Sequence, residues 1–223
     1  MKLLIVEDEI ELAQDIVNYF SSESYNCTLA LNYQEAQEKI SLYQYDCIIL
    51  DLMLPNGKDG LSLLEYLNEN KQGLIIISAK NSLEDKIKGL TLGADDYLAK
   101  PFHMAELAAR VFSIIRRKQF GHENIINFNE VKVDLLAKNV AVNNIEVVLT
   151  KKEYSLLLLF LGNKNRVISK NALAEHLSGD ISDMFDNQDF VYAHIKNLKK
   201  KLTDANYNNY LKTIYGTGYK WQE

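Results

Sequence analysis

The chain has 223 residues, of which 47% are hydrophobic and 25% are charged, and its formal net charge is −5. This length is enough for two domains of about 100 residues each, and the composition excludes a disordered or a fibrous protein. The longest uninterrupted apolar run covers only residues 156–161, and Glu7 and Asp8 interrupt the N-terminal apolar segment. We therefore expect a cytoplasmic protein with neither a membrane span nor a signal peptide.

The first half of the chain alternates short apolar runs with amphipathic stretches. The runs are LLIV at residues 3–6, CIIL at 47–50, LIII at 74–77 and YLA at 97–99. A helical pattern follows each run, and the first helix repeats apolar residues at Ala13, Ile16, Val17 and Phe20. Continuous apolar strands joined by crossover helices predict a parallel sheet covered on both faces, which is a doubly wound α/β domain.

The end of this domain is marked by a change from apolar periodicity to polar sequence. The last helix is predicted over about residues 103–117, where Leu107, Val111 and Ile114 share one face. Residues 118–124, KQFGHEN, are polar and contain Gly121, which indicates a linker. We therefore predict a first domain at 1–117, a linker at 118–124 and a second domain at 125–223.

Polar side chains follow the apolar strands of the first domain. Glu7 and Asp8 come directly after the first run, Asp51 after the second, Ser78 after the third and Lys100 after the fourth. In an open parallel sheet the functional groups gather beyond the carboxyl ends of the strands. We therefore expect three carboxylates, one hydroxyl and one ammonium to lie close together at this edge.

This combination is suited to phosphoryl transfer. Three ionised carboxylates share a pocket only if a cation lies among them, and oxygen ligands with room for water suit Mg²⁺. A carboxylate beside Mg²⁺ and an ammonium can attack phosphorus, which identifies Asp51 as a candidate phosphoryl acceptor. The alternative is that Asp51 caps the turn before Pro55 and that Glu7 and Asp8 cap the first helix. Agreement among four strand ends favours the acceptor.

The cysteine and histidine content argues against other sites. Cys27 and Cys47 are the only cysteines, which excludes a disulfide scaffold and a structural zinc site of the usual four-ligand kind. The four histidines are scattered, with no pair at the spacing of helical metal ligands. We expect both cysteines to be core residues.

The second half differs from the first in charge and in periodicity. Residues 1–121 contain 12 basic and 18 acidic residues, a net charge of −6, whereas residues 122–223 contain 13 and 12, a net charge of +1. Apolar residues alternate from residue 131, and the dipeptide Asn143-Asn144 predicts a turn. Thr150 and Glu153 form a capping box that opens a leucine-rich helix. Further helices at about 169–177 and 187–203 and a hairpin around residues 216–218 suggest an α+β winged helix-turn-helix.

The third helix of this domain has one apolar and one basic face. Val191, Ile195, Leu198 and Leu202 form the predicted buried stripe. The outward residues are Tyr192, Lys196, Lys199 and Lys200. A basic outward face on the second helix of a helix-turn-helix is typical of a surface that contacts DNA phosphates. The alternative is a merely solvated lysine run.

Four segments of the first domain resemble the receiver domain of bacterial response regulators: VEDE (6–9), ILDLMLP (49–55), ISA (77–79) and GADDYLAKPF (93–102). The resemblance implies a flavodoxin-like sheet of five strands in the order 2-1-3-4-5 and Asp51 as the phosphoryl acceptor. It also implies Mg²⁺ at Glu7, Asp8, Asp51 and the Met53 carbonyl, Ser78 and Lys100 on the phosphoryl group, and Tyr97 as an aromatic switch. Cys27 and Cys47 would then flank the first strand about 10 Å apart, too far for a disulfide.

Three segments of the second domain resemble the OmpR/PhoB-type DNA-binding domain: LTKKEYSLLLLFL, DFVYAHIKNLKKKL and KTIYGTGYKW. The resemblance implies DNA contacts from Tyr192, His194, Lys196, Asn197, Lys199, Lys200, Tyr215 and Thr217. For His194 we expect a structural or phosphate-contacting role rather than catalysis. Relatives often have arginine where this chain has Asp189, Asn197 and Tyr215, so the target sequence does not carry over.

Together the two resemblances imply a transcription factor controlled by phosphorylation. A sensor histidine kinase would phosphorylate Asp51, the receiver would dimerise through its fourth helix, fifth strand and fifth helix, and paired winged helices would bind a promoter. The expected contacts across the dimer axis are Lys86 with Glu106, Asp96 with Arg110 and Asp95 with Arg117. The loop at 55–60 is one residue longer than in most relatives. The acidic loop at 179–189 is a candidate contact for RNA polymerase or a neighbouring subunit.

Two alternatives belong to other functional classes. The first is a small Mg²⁺-dependent phosphotransferase or phosphatase that uses Asp51 on metabolites, and the basic helix and wing argue against it. The second is a DNA-binding regulator that works without phosphorylation, and the complete set of acidic-site residues argues against it.

Overall fold

A computed structural model describes residues 1–55, 60–67, 72–177 and 188–222 of the chain. The chain divides into two compact units, Met1–Gly121 and His122–Glu223. Two features noted in the sequence lie largely outside the described residues: the longer loop, at positions 56–59, and the acidic loop, at 178–187. No helix within the described ranges is long and apolar enough to cross a bilayer.

The first unit is built on a parallel sheet of five strands. The strands are β1 (Lys2–Val6), β2 (Asn26–Ala30), β3 (Cys47–Asp51), β4 (Gly73–Ser78) and β5 (Asp96–Ala99). Their order in the sheet is β2-β1-β3-β4-β5, and all neighbours are parallel. This confirms the predicted doubly wound α/β fold and strand order. Every residue of β1, β3 and β4 is buried, because both faces of the sheet are covered.

Helices cover the two faces of this sheet. The helical elements are α1 (Ile10–Ser22), α2 (Tyr33–Leu42), the 3₁₀-helix η1 (Gly60–Tyr66), α3 (Leu83–Thr91) and α4 (Met104–Phe120). Residues of α2 and η1 pack on one face of the sheet and residues of α1 and α4 on the other. The fourth and fifth helices expected from the resemblance correspond to α3 and α4, because the helical element that follows β3 among the described residues is η1.

The last helix of this unit is longer than the sequence predicts. It continues through Phe120, so residues 118–120 complete α4 instead of opening a linker. Gly121 has a φ of 73°, a left-handed conformation that glycine adopts readily and that ends the helix. The amphipathic pattern missed this extension because residues 116–119 are all polar, although residues 118–120 are half-buried.

The two cysteines lie on either side of β1. Leu3 is the register partner of Cys27 on β2 and of Cys47 on β3, which separates the cysteines by two strand spacings, or about 10 Å. Both cysteines are free, Cys47 buried and Cys27 half-buried. Burial raises the pKa of the Cys27 thiol to about 11 and also raises that of Cys47. Neither thiol is placed to form a disulfide with the other.

The second unit begins with an antiparallel sheet. Its strands are β6 (Ile125–Phe128), β7 (Val131–Asp134), β8 (Asn139–Val142) and β9 (Ile145–Glu146), paired in sequence order. Asn143 and Asn144 turn the chain between β8 and β9 with φ values of 50° and 64°. These are the left-handed values that a tight hairpin requires, so the predicted turn is confirmed.

Three helices and a second sheet complete the described part of this unit. The helices are α5 (Lys151–Gly162), α6 (Lys170–Leu177) and α7 (Gln188–Asp204). The strands are β10 (Val167–Ser169), β11 (Leu211–Ile214) and β12 (Gly218–Trp221), in the antiparallel order β10-β12-β11. The predicted capping box is confirmed, since Thr150 accepts from the Glu153 amide and Glu153 accepts from the Thr150 amide. Gly218 is required where β12 meets β10, because a Cβ there would lie 2.0 Å from the Ile168 carbonyl oxygen.

Candidate functional site

The carboxyl ends of four strands bring distant residues into contact. Lys100, which follows β5, places its Nζ 2.9 and 2.7 Å from the two carboxylate oxygens of Glu7 after β1. The same Nζ lies 2.6 Å from Asp51 Oδ2 at the end of β3. Ser78 ends β4, the strand next to β3. The structure thus assembles Glu7, Asp51, Ser78 and Lys100 at the edge where the sequence places them.

The two carboxylates at the centre of this site are buried. Glu7 is 0% and Asp51 3% exposed, whereas Asp8 is exposed. Burial raises the pKa of Glu7, and the negative charge of Asp51 raises it further, although the hydrogen bond from Lys100 opposes both effects. Burial alone would lower the pKa of Lys100, but its hydrogen bonds to Asp51 and Glu7 outweigh burial, and the net direction is upward. Lys100 is therefore a charged partner for two carboxylates.

Both carboxylates also accept a local backbone hydrogen bond, and the one at Asp51 is the turn contact that the alternative interpretation predicts, whereas the one at Glu7 comes from the Glu9 amide ahead of α1 and does not cap that helix. The Met53 amide donates to Asp51 Oδ1 at 2.9 Å, within the turn that follows β3. The Glu9 amide donates to Glu7 Oε1 at 3.3 Å, just before α1. These hydrogen bonds orient the carboxylates without using all of their acceptor capacity. Each of the two carboxylates therefore accepts a local backbone hydrogen bond and also forms an ion pair with Lys100.

The acidic residues also form a candidate metal centre. Among the described residues, Glu7, Asp8 and Asp51 each offer a carboxylate oxygen, and these oxygens lie within 4.8 Å of one another. A set made only of carboxylate oxygens has the ligand chemistry of a hard divalent cation. The cluster is therefore consistent with a metal site.

Tyr97 lies against the hydroxyl side of the site. Its ring is 8% exposed, and its hydroxyl donates to the Lys80 carbonyl oxygen at 2.7 Å. Burial raises the pKa of Tyr97, and a hydrogen bond with Ser78 opposes that shift. Gly89 on α3 makes room for the ring, because a Cβ there would lie 3.1 Å from Tyr97 Cδ2 and 2.8 Å from Ile76 Cδ1. The inward ring thus connects the β4 end of the site to α3.

The second unit presents a mostly exposed polar surface on α7 and at the turn between β11 and β12. Val191, Ile195, Leu198 and Leu202 are buried, which confirms the predicted stripe. On the opposite face Lys196, Asn197 and Lys200 are exposed. Tyr192 is 57% exposed, and Tyr215 at the hairpin turn is 94% exposed. Thr217, in the same turn, is also exposed.

Two predicted contact residues on α7 are less accessible. His194 is half-buried, with its ring edge-on to Phe190 at a centroid distance of 4.5 Å. Burial lowers the pKa of His194, and the nearby Lys152 lowers it further. Lys199 is half-buried and donates to Thr213 Oγ1 at 3.1 Å.

Comparisons with known proteins cover both units. The family described as response regulator receiver domain matches residues 3–112, and the family described as transcriptional regulatory protein, C terminal, matches residues 144–221. Response regulator ArlR of Staphylococcus aureus is 38% identical over 219 residues, which are 98% of each chain. The chain belongs to the OmpR/PhoB-type response regulators.

Two solved structures are similar to about half of this response regulator. A two-component response regulator from Clostridium difficile is 30% identical with a TM-score of 0.50, over 52% of this chain and 97% of that one. The receiver domain of Francisella response regulator 1452 is 40% identical with a TM-score of 0.49, over 52% of this chain and 97% of that one.

Membership of this family confirms the predicted class of protein. The chain is a two-component response regulator with a receiver domain and a DNA-binding transcriptional regulatory domain, and its family consists of transcription factors rather than enzymes. The receiver implies a histidine kinase as partner, and the C-terminal domain implies DNA binding. The phosphotransferase alternative is therefore excluded.

The residues expected at the dimer axis of this response regulator lie on α3, on α4 and at β5. Asp96, Glu106, Arg110 and Arg117 line one shallow concavity of about 390 Å³. Within the single chain, Arg110 already pairs with Asp96 and with Glu106, both at 2.8 Å. Asp95 pairs with Lys118 at 3.1 Å. Two of the residues expected to pair across the axis, Asp96 and Arg110, are thus paired with each other within the chain.

The sequence alone did not predict three contacts, two of them around Tyr97 and one between α5 and α7. The Lys80 carbonyl receives the Tyr97 hydroxyl, Gly89 makes room for the Tyr97 ring, and Lys201 donates to Glu153 Oε2 at 2.7 Å. The first is a backbone contact, for which no residue type is diagnostic. The other two join residues from different elements, and a one-dimensional pattern does not show which elements are adjacent.

Proposed function

We propose that this response regulator accepts a phosphoryl group on Asp51 from a sensor histidine kinase in the cytoplasm. One observation carries the proposal: Asp51 is buried, and its carboxylate lies 2.6 Å from the Lys100 ammonium. Asp51 also ends the strand between β1, which is followed by Glu7 and Asp8, and β4, which ends at Ser78. It is the carboxylate that has acidic residues on one side and a hydroxyl on the other.

The residues at this site have different roles in the phosphoryl transfer. A carboxylate oxygen of Asp51 forms the new P–O bond while the P–N bond to the histidine of the kinase breaks. Lys100 and the Ser78 hydroxyl donate to the oxygens of the transferred group. Glu7, Asp8, Asp51 and the Met53 carbonyl would hold Mg²⁺, which neutralises charge on the phosphoryl oxygens when bound.

The proposed response to phosphorylation is dimerisation through the face made by α3, β5 and α4. The inward ring of Tyr97 supports this route, because it joins the Ser78 end of the site to α3. The proposed contacts pair Lys86 with the partner's Glu106, Asp96 with the partner's Arg110, and Asp95 with the partner's Arg117. Such exposed pairs contribute about 0–1 kcal/mol each, so they set register and specificity more than affinity.

The proposed output is promoter binding by two winged helices. The supporting observation is the exposed face of α7 beside the exposed turn of the terminal hairpin. The proposed DNA contacts are Tyr192, His194, Lys196, Asn197, Lys200, Tyr215 and Thr217, and Lys199 lies half-buried beside them. The acidic loop at 179–189, proposed to contact RNA polymerase, lies mostly outside the described residues.

The acceptor is tested by labelling with a small phosphodonor. The full chain is incubated with acetyl phosphate and Mg²⁺, and the intact mass and the modified peptide are measured. One phosphoryl group on Asp51 is expected, with none on Asp51→Ala. Undiminished labelling of Asp51→Ala would show that another residue is the acceptor.

A further inference from the structure

Lys199 differs from the lysines beside it on α7. Lys196 and Lys200 are exposed, whereas Lys199 is half-buried. Its Nζ donates to the hydroxyl oxygen of Thr213 on β11 at 3.1 Å. The same ammonium lies 5.7 Å from the centroid of the Tyr219 ring on β12, within the range of a cation–π contact. Lys199 therefore bridges α7 and the terminal hairpin.

The point of contact on the hairpin is close to its turn. Thr213 and Tyr219 are register partners, so Lys199 touches both strands at one rung of the ladder. Tyr219 is buried, and the next residue pair toward the turn is Ile214 with Gly218. The residues between that pair include Tyr215 and Thr217, the proposed wing contacts. A bond at this rung is therefore suited to fixing where the turn lies relative to α7.

The surroundings of Lys199 favour an internal partner over a phosphate. Burial lowers the pKa of Lys199, and repulsion by Lys212 lowers it further. To reach DNA, Lys199 would have to give up its bond to Thr213 and its contact with the Tyr219 ring. Lys196 and Lys200 are exposed and have no such hydrogen bond within the described residues.

We propose that Lys199 is a positioning residue that holds the wing against α7 and does not itself contact DNA. The inference rests on the proposed DNA-binding role of α7 and the hairpin, and it adds that the wing contact of Tyr215 depends on the Lys199–Thr213 bond. Helical periodicity grouped Lys199 with the phosphate contacts because periodicity shows only which residues of a helix point away from its buried face. Periodicity does not show that strand β11 lies beside Lys199.

The test uses the full chain and a duplex selected by the wild-type protein from a random-sequence library. Dissociation constants are measured over a salt series for Lys199→Met, Thr213→Val, the double variant and the control Lys196→Met. We expect Lys199→Met and Thr213→Val each to weaken binding about 2–10-fold, because each removes the same hydrogen bond. The double variant should be no weaker than either single variant. Only Lys196→Met should lower the salt slope, by about one.

A second cycle tests the link to the wing. Tyr215→Ala should weaken binding in the wild-type background and have a smaller effect in the Lys199→Met background, because the turn is already misplaced there. Thermal unfolding checks that each variant is folded. Thr213→Val leaves the charge of the protein unchanged, so a loss equal to that of Lys199→Met cannot come from a missing charge.

Two results overturn the inference in distinguishable ways. If Lys199→Met lowers the salt slope by about one, like Lys196→Met, and adds to Thr213→Val, then Lys199 is a phosphate contact and the positioning role is wrong. If Lys196→Met leaves the slope unchanged, α7 is not the helix that faces DNA. The proposed function of the second unit then fails, and this inference fails with it.

Discussion

At the scale of single residues, one lysine stabilises two buried carboxylates. Lys100 Nζ is 2.7 Å from Glu7 Oε2 and 2.6 Å from Asp51 Oδ2. A buried charge without a partner costs several kcal/mol, so two carboxylates at the ends of neighbouring strands are stable there because an ammonium lies between them. The residue that would assist phosphoryl transfer is thus also a determinant of the stability of the unphosphorylated protein.

Replacing Lys100 should therefore affect stability as well as signalling. We expect Lys100→Met to remain folded but to lose about 3 kcal/mol of unfolding free energy, because Glu7 and Asp51 are left buried without their common partner. Phosphorylation of this variant should no longer lead to dimerisation. Urea unfolding and sedimentation of the phosphorylated protein measure the two effects.

Lys80→Met is the matched control. Lys80 is exposed and lies near the same site, so its replacement should change stability by less than about 0.5 kcal/mol. Equal unfolding free energies for the Lys100→Met and Lys80→Met variants would contradict the stabilising role of Lys100.

At the scale of elements, α7 is held against α5 by an ion pair whose carboxylate is buried. Glu153 is 2% exposed, accepts from the Thr150 amide at 2.8 Å and accepts from Lys201 Nζ at 2.7 Å. Burial by itself would raise the pKa of Glu153, but the hydrogen bonds from Lys201 and Thr150 outweigh burial and the net direction is downward. One carboxylate therefore caps α5 and anchors the C-terminal half of α7.

This geometry predicts a pH-dependent stability for the second unit. Because the folded pKa of Glu153 lies below its ordinary value of 4.5, the stabilisation is fully present above 4.5 and is lost as the pH falls through the folded value. Glu153→Gln should cost about 1–3 kcal/mol at pH 7, and the difference from wild type should shrink below pH 4.5. Trp221 is the only tryptophan and lies in this unit, so its fluorescence follows the unfolding. Glu146→Gln, at an exposed position, is the control, and a pH-independent difference for Glu153→Gln would contradict the assignment.

The exposed face of α7 predicts that Asn197 reads a base and that Lys196 and Lys200 contact DNA phosphates. The Asn197 amide matches the N6/N7 edge of adenine, so Asn197→Ala should cost about 1–3 kcal/mol at an adenine step and relax the choice of base there. Lys196→Ala and Lys200→Ala should weaken binding equally on all sequences and reduce the salt slope by about one each. Tyr215 lacks the charge that favours a narrow minor groove, so discrimination of A·T flanks should be modest.

Binding to a library of mutated operators at two salt concentrations tests these expectations together. Lys196→Ala is the internal control, because it should lose affinity without changing base preference. If Asn197→Ala instead loses affinity equally on every sequence, Asn197 contacts the backbone and does not read a base.

The sequence was sufficient to predict those features of the fold and the site that depend on local periodicity or on the order of strands. The strand ends that carry Glu7, Asp51 and Lys100 are one example, and the capping box at Thr150 is another. It was insufficient where two elements meet. The intrachain pair of Arg110 with Asp96 and the bond from Lys199 to Thr213 depend on which side chains a fold brings within 3 Å or so, and spacing along the chain does not contain that information.

At the scale of the whole molecule, charge and valency separate the roles of the two units. Residues 1–121 carry a net charge of −6 and residues 122–223 a net charge of +1, so the receiver itself is not suited to holding DNA phosphates. Under the proposed function, a near-neutral DNA-binding unit would bind a promoter weakly as a single copy. Two copies joined through their receivers would bind more tightly, because the second contact would form at a high effective concentration. Phosphorylation would therefore control promoter occupancy through dimerisation.

Reversing one charge at the proposed dimer face should prevent dimerisation of the phosphorylated protein. Arg110→Asp removes the ion pairs with Asp96 and Glu106 and places like charges together at the axis, so the phosphorylated variant should sediment as a monomer. The charge swap Asp96→Arg with Arg110→Asp should restore dimerisation, because opposite charges again face each other. A phosphorylated Arg110→Asp protein that dimerises normally would refute this face.

The two native cysteines that flank β1 should not react with thiol-specific reagents at neutral pH. With a pKa of about 11, Cys27 is thiolate in only about one molecule in 10⁴ at pH 7, and the buried Cys47 is less reactive still. Maleimide dyes should therefore leave the wild-type protein unlabelled at neutral pH. A cysteine engineered at an exposed position in each unit can accept a donor and an acceptor fluorophore without removal of the native thiols. Energy transfer between them would then follow the separation of the two units before and after phosphorylation, in a chain whose core is intact.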